Sequence, residues 1–213
     1  MDRATILKTA KPILFNTEMV RAIQNGIKTV TRRLIKPKFT NTEIIFKNGK
    51  AFETVGTPAT TVEIKSPYNV GDILYVRETW LPVNVKPKRY LYKTHCPEAQ
   101  SLPVKWHPSI HMPKEAARIF LRVTGVRVEQ LQDITEEQAI AEGIFLDTCF
   151  IPTYHFGKLN HGTPSGKGWK TARECFGLGL WNSTVKKSDL DKYGWSANPG
   201  VRVIEFEKVE VTE

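Results

Sequence analysis

The segment that constrains this chain most is Asn25-Gly-Ile-Lys-Thr-Val-Thr-Arg-Arg33, where a helix-stopping glycine runs into a β-prone stretch holding one lysine, two threonines and two arginines. Whatever the fold, the backbone must leave a helix and enter a strand within a few residues. The helix side is legible over residues 17–25, because Val20, Ile23 and Ile27 recur at helical spacing, Asn16 or Thr17 can cap the start and Gly26 can end it. Two readings of the basic run stand side by side. It is a charged strand entered from a helix, or it is a site for an anionic or acyl-bearing ligand.

The remaining pattern predicts a β-rich core. Residues 71–80, Gly-Asp-Ile-Leu-Tyr-Val-Arg-Glu-Thr-Trp, open on a turn pair and continue in β-branched and aromatic residues, which describes a strand. Ile119, Leu121 and Val123 alternate, as do Val126 and Val128 beyond Gly125, so 118–130 reads as a hairpin or a bent strand. Residues 201–209 form a closing strand. The clearest helix is 135–142, where Thr135 and Gln138 make a capping box, Ile134 and Ala139 can staple the entry and Gly143 terminates it. Its last residue, Glu142, opposes the helix dipole, which is unfavourable unless the carboxylate has a partner or a task.

A further helix is expected over 171–186, carrying Phe176, Leu180, Trp181 and Val185 into the core. Segments 34–68, 81–117 and 147–170 lack periodicity and read as loop insertions in one domain spanning 1–213. The last holds Gly157, Gly162, Gly166 and Gly168 with Lys158, Lys167 and Lys170, a composition suited to a basic lid.

Lysine and arginine outnumber aspartate and glutamate 31 to 22, a formal net charge of +9 that favours phosphate-bearing partners. Lys28, Arg32, Arg33, Lys36 and Lys38 cluster without an acid, and Lys86, Lys88, Arg89 and Lys93 interleave with Tyr90 and Tyr92. Cations beside aromatics suit a single strand whose bases can stack. Cys96, Cys149 and Cys175 are odd in number and widely spaced, so they read as reduced thiols. His95, His107, His111, His155 and His161 show no ligand spacing, and neither a metal nor another cofactor is expected. The N-terminal MDRATILKTAKPILF breaks every apolar run, and nothing approaches a membrane span, which points to a cytoplasmic protein.

Eight blocks together resemble the ASCH domains of the PUA-like superfamily, in their longer phage and prophage form. The first four are Pro12-Ile-Leu-Phe, Gly26-Ile-Lys-Thr-Val-Thr-Arg-Arg33, Gly71 to Trp80, and Lys105-Trp-His-Pro-Ser-Ile-His-Met-Pro113. Ala117 to Thr124, Leu131 to Gly143, Leu180-Trp-Asn182 and Trp195-Ser-Ala-Asn-Pro199 complete the set, covering roughly half the chain in the family's order. The resemblance implies an α+β fold: a small β-barrel with flanking helices, a cleft at one face and long loop insertions.

PUA-like barrels include RNA-binding modules, modified-base readers and enzymes, so the fold alone does not assign an activity. Small ASCH enzymes that deacetylate N4-acetylcytidine use a lysine, a threonine and a glutamate, and the matching positions here are Lys28, Thr31 and Glu142. The resemblance therefore implies a metal-independent amidohydrolase, with a non-catalytic RNA or modified-base reader, or a ribonuclease, as alternatives. In the hydrolytic reading Thr31 is the nucleophile and Lys28 its base, or Lys28 activates a water that Thr31 positions. Glu142 orients Lys28 or passes a proton to the leaving amine, and Arg32 or Arg33 steadies the oxyanion. Glu78, Trp80, Trp106, Ser109 and His111 are expected to reach the cleft and contact a nucleoside or RNA, although Trp80 and Trp106 equally suit a barrel plug. A straight strand over 28–31 would send Lys28 and Thr31 to opposite faces, so a shared site requires a turn or bulge there. Oligomeric state is not legible in the sequence.

Overall fold

The computed structural model describes residues 2–39, 42–56, 59–83, 85, 89–95, 104–148, 152–157, 159–160, 163–164 and 168–211. Lys86, Lys88, Cys96, Cys149, Lys158, His161, Gly162, Gly166 and Lys167 lie outside the described residues.

The chain begins α1 (Arg3–Thr9), β1 (Lys11–Leu14), α2 (Thr17–Gln24) and β2 (Val30–Leu34). A meander follows, β3 (Ile44–Lys47), β4 (Lys50–Val55) and β5 (Thr60–Glu63), and then β6 (Ile73–Arg77). Next come β7 (Trp80–Val83), β8 (Arg89–Tyr92), the long β9 (Phe120–Gln130) and α3 (Glu136–Ala141). Two short hairpins, β10 (Phe145–Asp147) with β11 (Thr153–His155) and β12 (Leu159–Asn160) with β13 (Thr163–Pro164), lead to the C-terminal helices. These are α4 (Ala172–Glu174), a π-helical run Cys175–Trp181, α5 (Asn182–Thr184) and α6 (Leu190–Tyr193), after which β14 (Gly200–Val209) closes the chain.

The main sheet has the order β1-β6-β9-β14-β2, with β1 parallel to β6 and the other pairs antiparallel. Alternation along β14 splits the core between two faces. Val201 and Val203 join Val30, Leu131, Ala139 and Phe176 on one side, while Ile204 and Phe206 join Phe15, Val20, Ile23 and Leu121 on the other. α2 thus covers one face, and α3 with the C-terminal helices covers the other. Met19 touches both clusters beside the edge strand β2, and the candidate site lies at that meeting of layers.

The mixed α+β class is as expected, but the sheets are open and none closes into a barrel among the described residues. β1 and β2 are the two edges of the main sheet. A side chain spans them where Arg33 Nη2 donates to the Leu14 carbonyl at 2.7 Å.

Local expectations for α2, β9, α3 and β14 are met closely, and the described residues of the insertions include strands that their sequence does not suggest. Region 34–68 contains the β3-β4-β5 meander, and 81–117 contains the β7-β8 hairpin. The strands are short, and half the residues of the meander are Lys, Thr or Glu, so cross-strand pairing rather than periodicity defines them. The predicted strand 71–80 divides into β6 and β7 at Glu78 and Thr79. β9 is one bent strand, because its register with β14 slips between Glu205 and Phe206. The expected helix over 171–186 is helical from Ala172 to Thr184, but its centre is wound as a π-helix.

Candidate functional site

Lys28 owes its position to the end of α2. Asn16 caps the helix start by accepting from Met19 N, and Gly26 takes φ +72 just past the C-cap Asn25. The amides of Ile27 and Lys28 both donate to the Ala22 carbonyl, at 2.9 and 3.0 Å, so the chain curls back before β2 begins. Lys28 therefore lies just ahead of the strand, past the turn at Asn25 and Gly26. Thr29 then links two elements: its amide donates to Ala141 O at the end of α3, and its carbonyl accepts from Phe206 N in β14.

This path delivers Lys28 Nζ to the C-terminus of α3, where it donates to Glu142 O at 2.9 Å and to Glu142 Oε2 at 2.6 Å. Lys28 is 2% exposed and Glu142 3% exposed. The lysine thus answers both the orphan carbonyl and the misplaced carboxylate at the helix end. Gly143 permits the approach, since it holds φ +103 and a Cβ there would meet Ala22 Cβ at 3.1 Å.

Arg32 completes a buried network around Glu142. Its Nη1 donates to Glu142 Oε1 at 3.3 Å, its Nε and Nη2 to Glu129 Oε1 at 2.9 and 2.6 Å, and its Nη2 also to Gln138 Oε1 at 2.6 Å. Arg127 backs Glu129 from Oε2 at 3.0 Å. Arg32 is thereby committed to holding carboxylates, while Arg33 lies 5.1 Å over the Phe15 ring on the opposite side of β2. Burial pushes the Lys28 amine below its usual basicity, Glu142 opposes that shift, and the nearby Arg33 and Arg32 charges add to it.

Thr31, Arg32, Arg33 and Glu142 line one cavity of about 370 Å³. That volume suits a small organic ligand. Phe176, Leu180, Trp181, Val185 and Tyr193 make its apolar wall, and Lys36, Lys186 and Asp189 stand toward solvent. A smaller cavity of about 100 Å³ shares Met19, Glu142 and Leu180 with it. Sequence pattern placed Phe176, Leu180 and Trp181 in the core; they are buried there and also present a face to the cavity. Tyr193, Lys186, Glu129 and Gln138 carried no sequence signal for the site, because only packing brings them to it.

The other expected contacts lie elsewhere, and none of them lines this cavity. Glu78 is buried and held by Arg118, from Nε to Oε1 at 2.8 Å and Nη2 to Oε2 at 2.9 Å, with Thr94 Oγ1 donating at 2.9 Å. Trp80 belongs to a separate core cluster with Tyr75, Met112 and Phe120, and its ring packs against Tyr90 and His107. Trp106 and Ser109 are half-buried and His111 exposed on the connection 104–113, whose Met112 and Ile110 carbonyls accept from Arg77. That connection is held by Arg77 at the end of β6 and by the bridge of His107 to Trp80. Among the described residues no three His, Cys, Asp or Glu side chains group to hold a metal ion, and no helix is long and apolar enough to cross a membrane.

No family model, curated protein or solved structure matches the chain.

Proposed function

We propose that the chain is an ASCH-type amidohydrolase of PUA-like descent that removes the acyl group from a modified nucleoside such as N4-acetylcytidine, without a metal. One observation carries this reading: a buried lysine, its ammonium disfavoured, stands behind the cavity wall and is paired to Glu142, which together with Thr31 lines the ligand-sized cavity.

In its neutral form Lys28 has two N–H donors, and Glu142 O and Oε2 take both. The lone pair is then free to accept the Thr31 hydroxyl proton as Thr31 Oγ attacks the acyl carbonyl. The carbonyl oxygen becomes an oxyanion, with Arg33 in the cavity wall as its electrostatic partner. Collapse breaks the C–N bond, and the departing N4 amine takes the proton back from Lys28. Water then cleaves the Thr31 ester, releasing the carboxylic acid. Arg32 acts by fixing Glu142, and Phe176, Trp181 and Tyr193 supply faces for the base.

A reader of modified bases on the same cavity is the second reading. What favours it is the completeness of the Lys28, Glu142 and Arg32 network, which resembles a structural ion cluster. Strand binding through Tyr90 and Tyr92 draws less support, since their hydroxyls donate to Glu115 Oε1 and Ala116 O and the Tyr92 ring lies 4.1 Å beneath Arg118. Incubation with N4-acetylcytidine, followed by chromatography of released cytidine, decides between them. Turnover that disappears in Lys28→Ala and Thr31→Ala supports hydrolysis; tight binding with no turnover by the unaltered protein transfers the assignment to the reader.

A further inference from the structure

Charge around the cavity falls into two zones. In the buried zone Arg32 and Arg33, beside the neutral Lys28 amine of the proposed mechanism, face Glu142 and Glu129, so cations and carboxylates balance. At the mouth, Lys36 and Lys186 line the wall with one acid, Asp189. Neither lysine is ion-paired to a carboxylate among the described residues. Lys36 is placed by an aromatic ring, its Nζ 5.4 Å over Tyr193. The inner end of the cavity is thus neutral and aromatic, and the outer end carries an uncompensated positive excess. A bare nucleoside uses the first and leaves the second idle.

Resting on the nucleoside reading, we propose that the ligand is a phosphate ester of a nucleoside, with its base against Phe176 and Trp181 and its phosphate between Lys36 and Lys186 at the mouth. A phosphate monoester carries about −1.5 to −2 charges near neutral pH, which suits a rim bearing two lysines. Lys36 and Lys186 are exposed, so they meet the phosphate as solvated point charges and the attraction is screened by salt. The phosphate belongs to a free nucleotide or to an RNA strand, and the two sources are separable by experiment.

Isothermal titration calorimetry with cytidine, cytidine 5′-monophosphate, ribose 5-phosphate and a short single-stranded RNA ending in cytidine tests this. The monophosphate is expected to bind about tenfold tighter than cytidine at low salt, an advantage that shrinks as salt rises. In the double variant Lys36→Ala/Lys186→Ala the advantage should fall to about twofold or less. RNA no tighter than the monophosphate identifies a nucleotide ligand, and tighter RNA with the same lysine dependence identifies a strand phosphate; both uphold the proposal. Equal affinity for cytidine and its monophosphate, an advantage that survives the double substitution, or no binding of any phosphate ester overturns it. Ribose 5-phosphate binding through the same two lysines upholds the phosphate site even where no acylated nucleoside is turned over, which separates its fate from that of the hydrolase reading.

Discussion

Lys28 Nζ lies 2.6 Å from Glu142 Oε2, with both side chains withdrawn from water although 114 residues separate them in the sequence. Each group repairs a defect of the other, since the lysine is buried just ahead of an edge strand and the glutamate sits at the wrong end of a helix. Removing one partner leaves a buried charge short of its counterion. Lys28→Met is therefore expected to destabilise the fold by about 3–5 kcal/mol in urea denaturation, and Lys28→Met/Glu142→Leu to recover a large part of the loss. Equal losses in the single and double variants would show that the two residues are not energetically coupled.

The depressed basicity of Lys28 has a directional consequence. An unfolded lysine binds its proton up to the ordinary range near 10.5, whereas the folded one releases it at lower pH. Between those limits the unfolded chain holds more protons, so this group's contribution to stability grows as pH rises and is lost as pH falls through the folded value. If the neutral amine is the base, kcat/KM climbs along a limb whose midpoint lies below 10.5. Glu142→Gln removes the charge that favours the ammonium and should move that midpoint to lower pH. A midpoint unmoved by the substitution would assign the limb to another group.

Gly143→Ala tests the close approach of α2 to the end of α3. The substitution strains a residue at φ +103 and presses a methyl against Ala22. A loss of about 1–3 kcal/mol is expected in thermal or chemical unfolding, with a fall in kcat because Glu142 shares the displaced backbone. Unchanged unfolding would mean that the turn relaxes freely.

Glu78 and Arg118 should behave in the opposite manner from the cavity residues. Their bidentate pair is buried on the glutamate side and lies outside the cavity lining. Arg118→Met is expected to cost about 3 kcal/mol of stability while kcat/KM per folded molecule stays within about twofold. A large loss of kcat/KM in the folded protein would return Glu78 to the substrate-binding role that the sequence resemblance implies.

Trp181 and Trp80 form a matched pair for separating binding wall from core. Trp181 faces the cavity, with its Nε1 donating to Tyr193 O at 2.8 Å, whereas Trp80 packs in a separate cluster that does not line it. Trp181→Leu should raise KM for an acylated nucleoside several-fold, by about 1 kcal/mol of lost ring contact, and Trp80→Leu should lower stability without that rise in KM. Equal KM values in the two variants would remove the aromatic wall from substrate binding.

What the sequence determined by itself is what a few neighbouring residues can enforce. Asn16 and Thr135 accept from backbone amides three residues on, and Gly26 and Gly143 supply the positive φ that ends each helix, so α2 and α3 are readable without the rest of the chain. Alternation likewise marks β9 and β14, whose side chains must sort to two faces. The tertiary structure decided everything that depends on distant partners. Pairing of β2 with β14 and the Thr29 link to Ala141 bring Lys28 to Glu142, and no local pattern encodes that meeting. The same applies to Trp80 and Trp181, because an aromatic side chain reads alike whether its ring ends in a sealed core or against a cavity. Packing alone chose between those fates, by placing Trp80 beneath the 104–113 connection and Trp181 on a π-wound turn beside the edge strand.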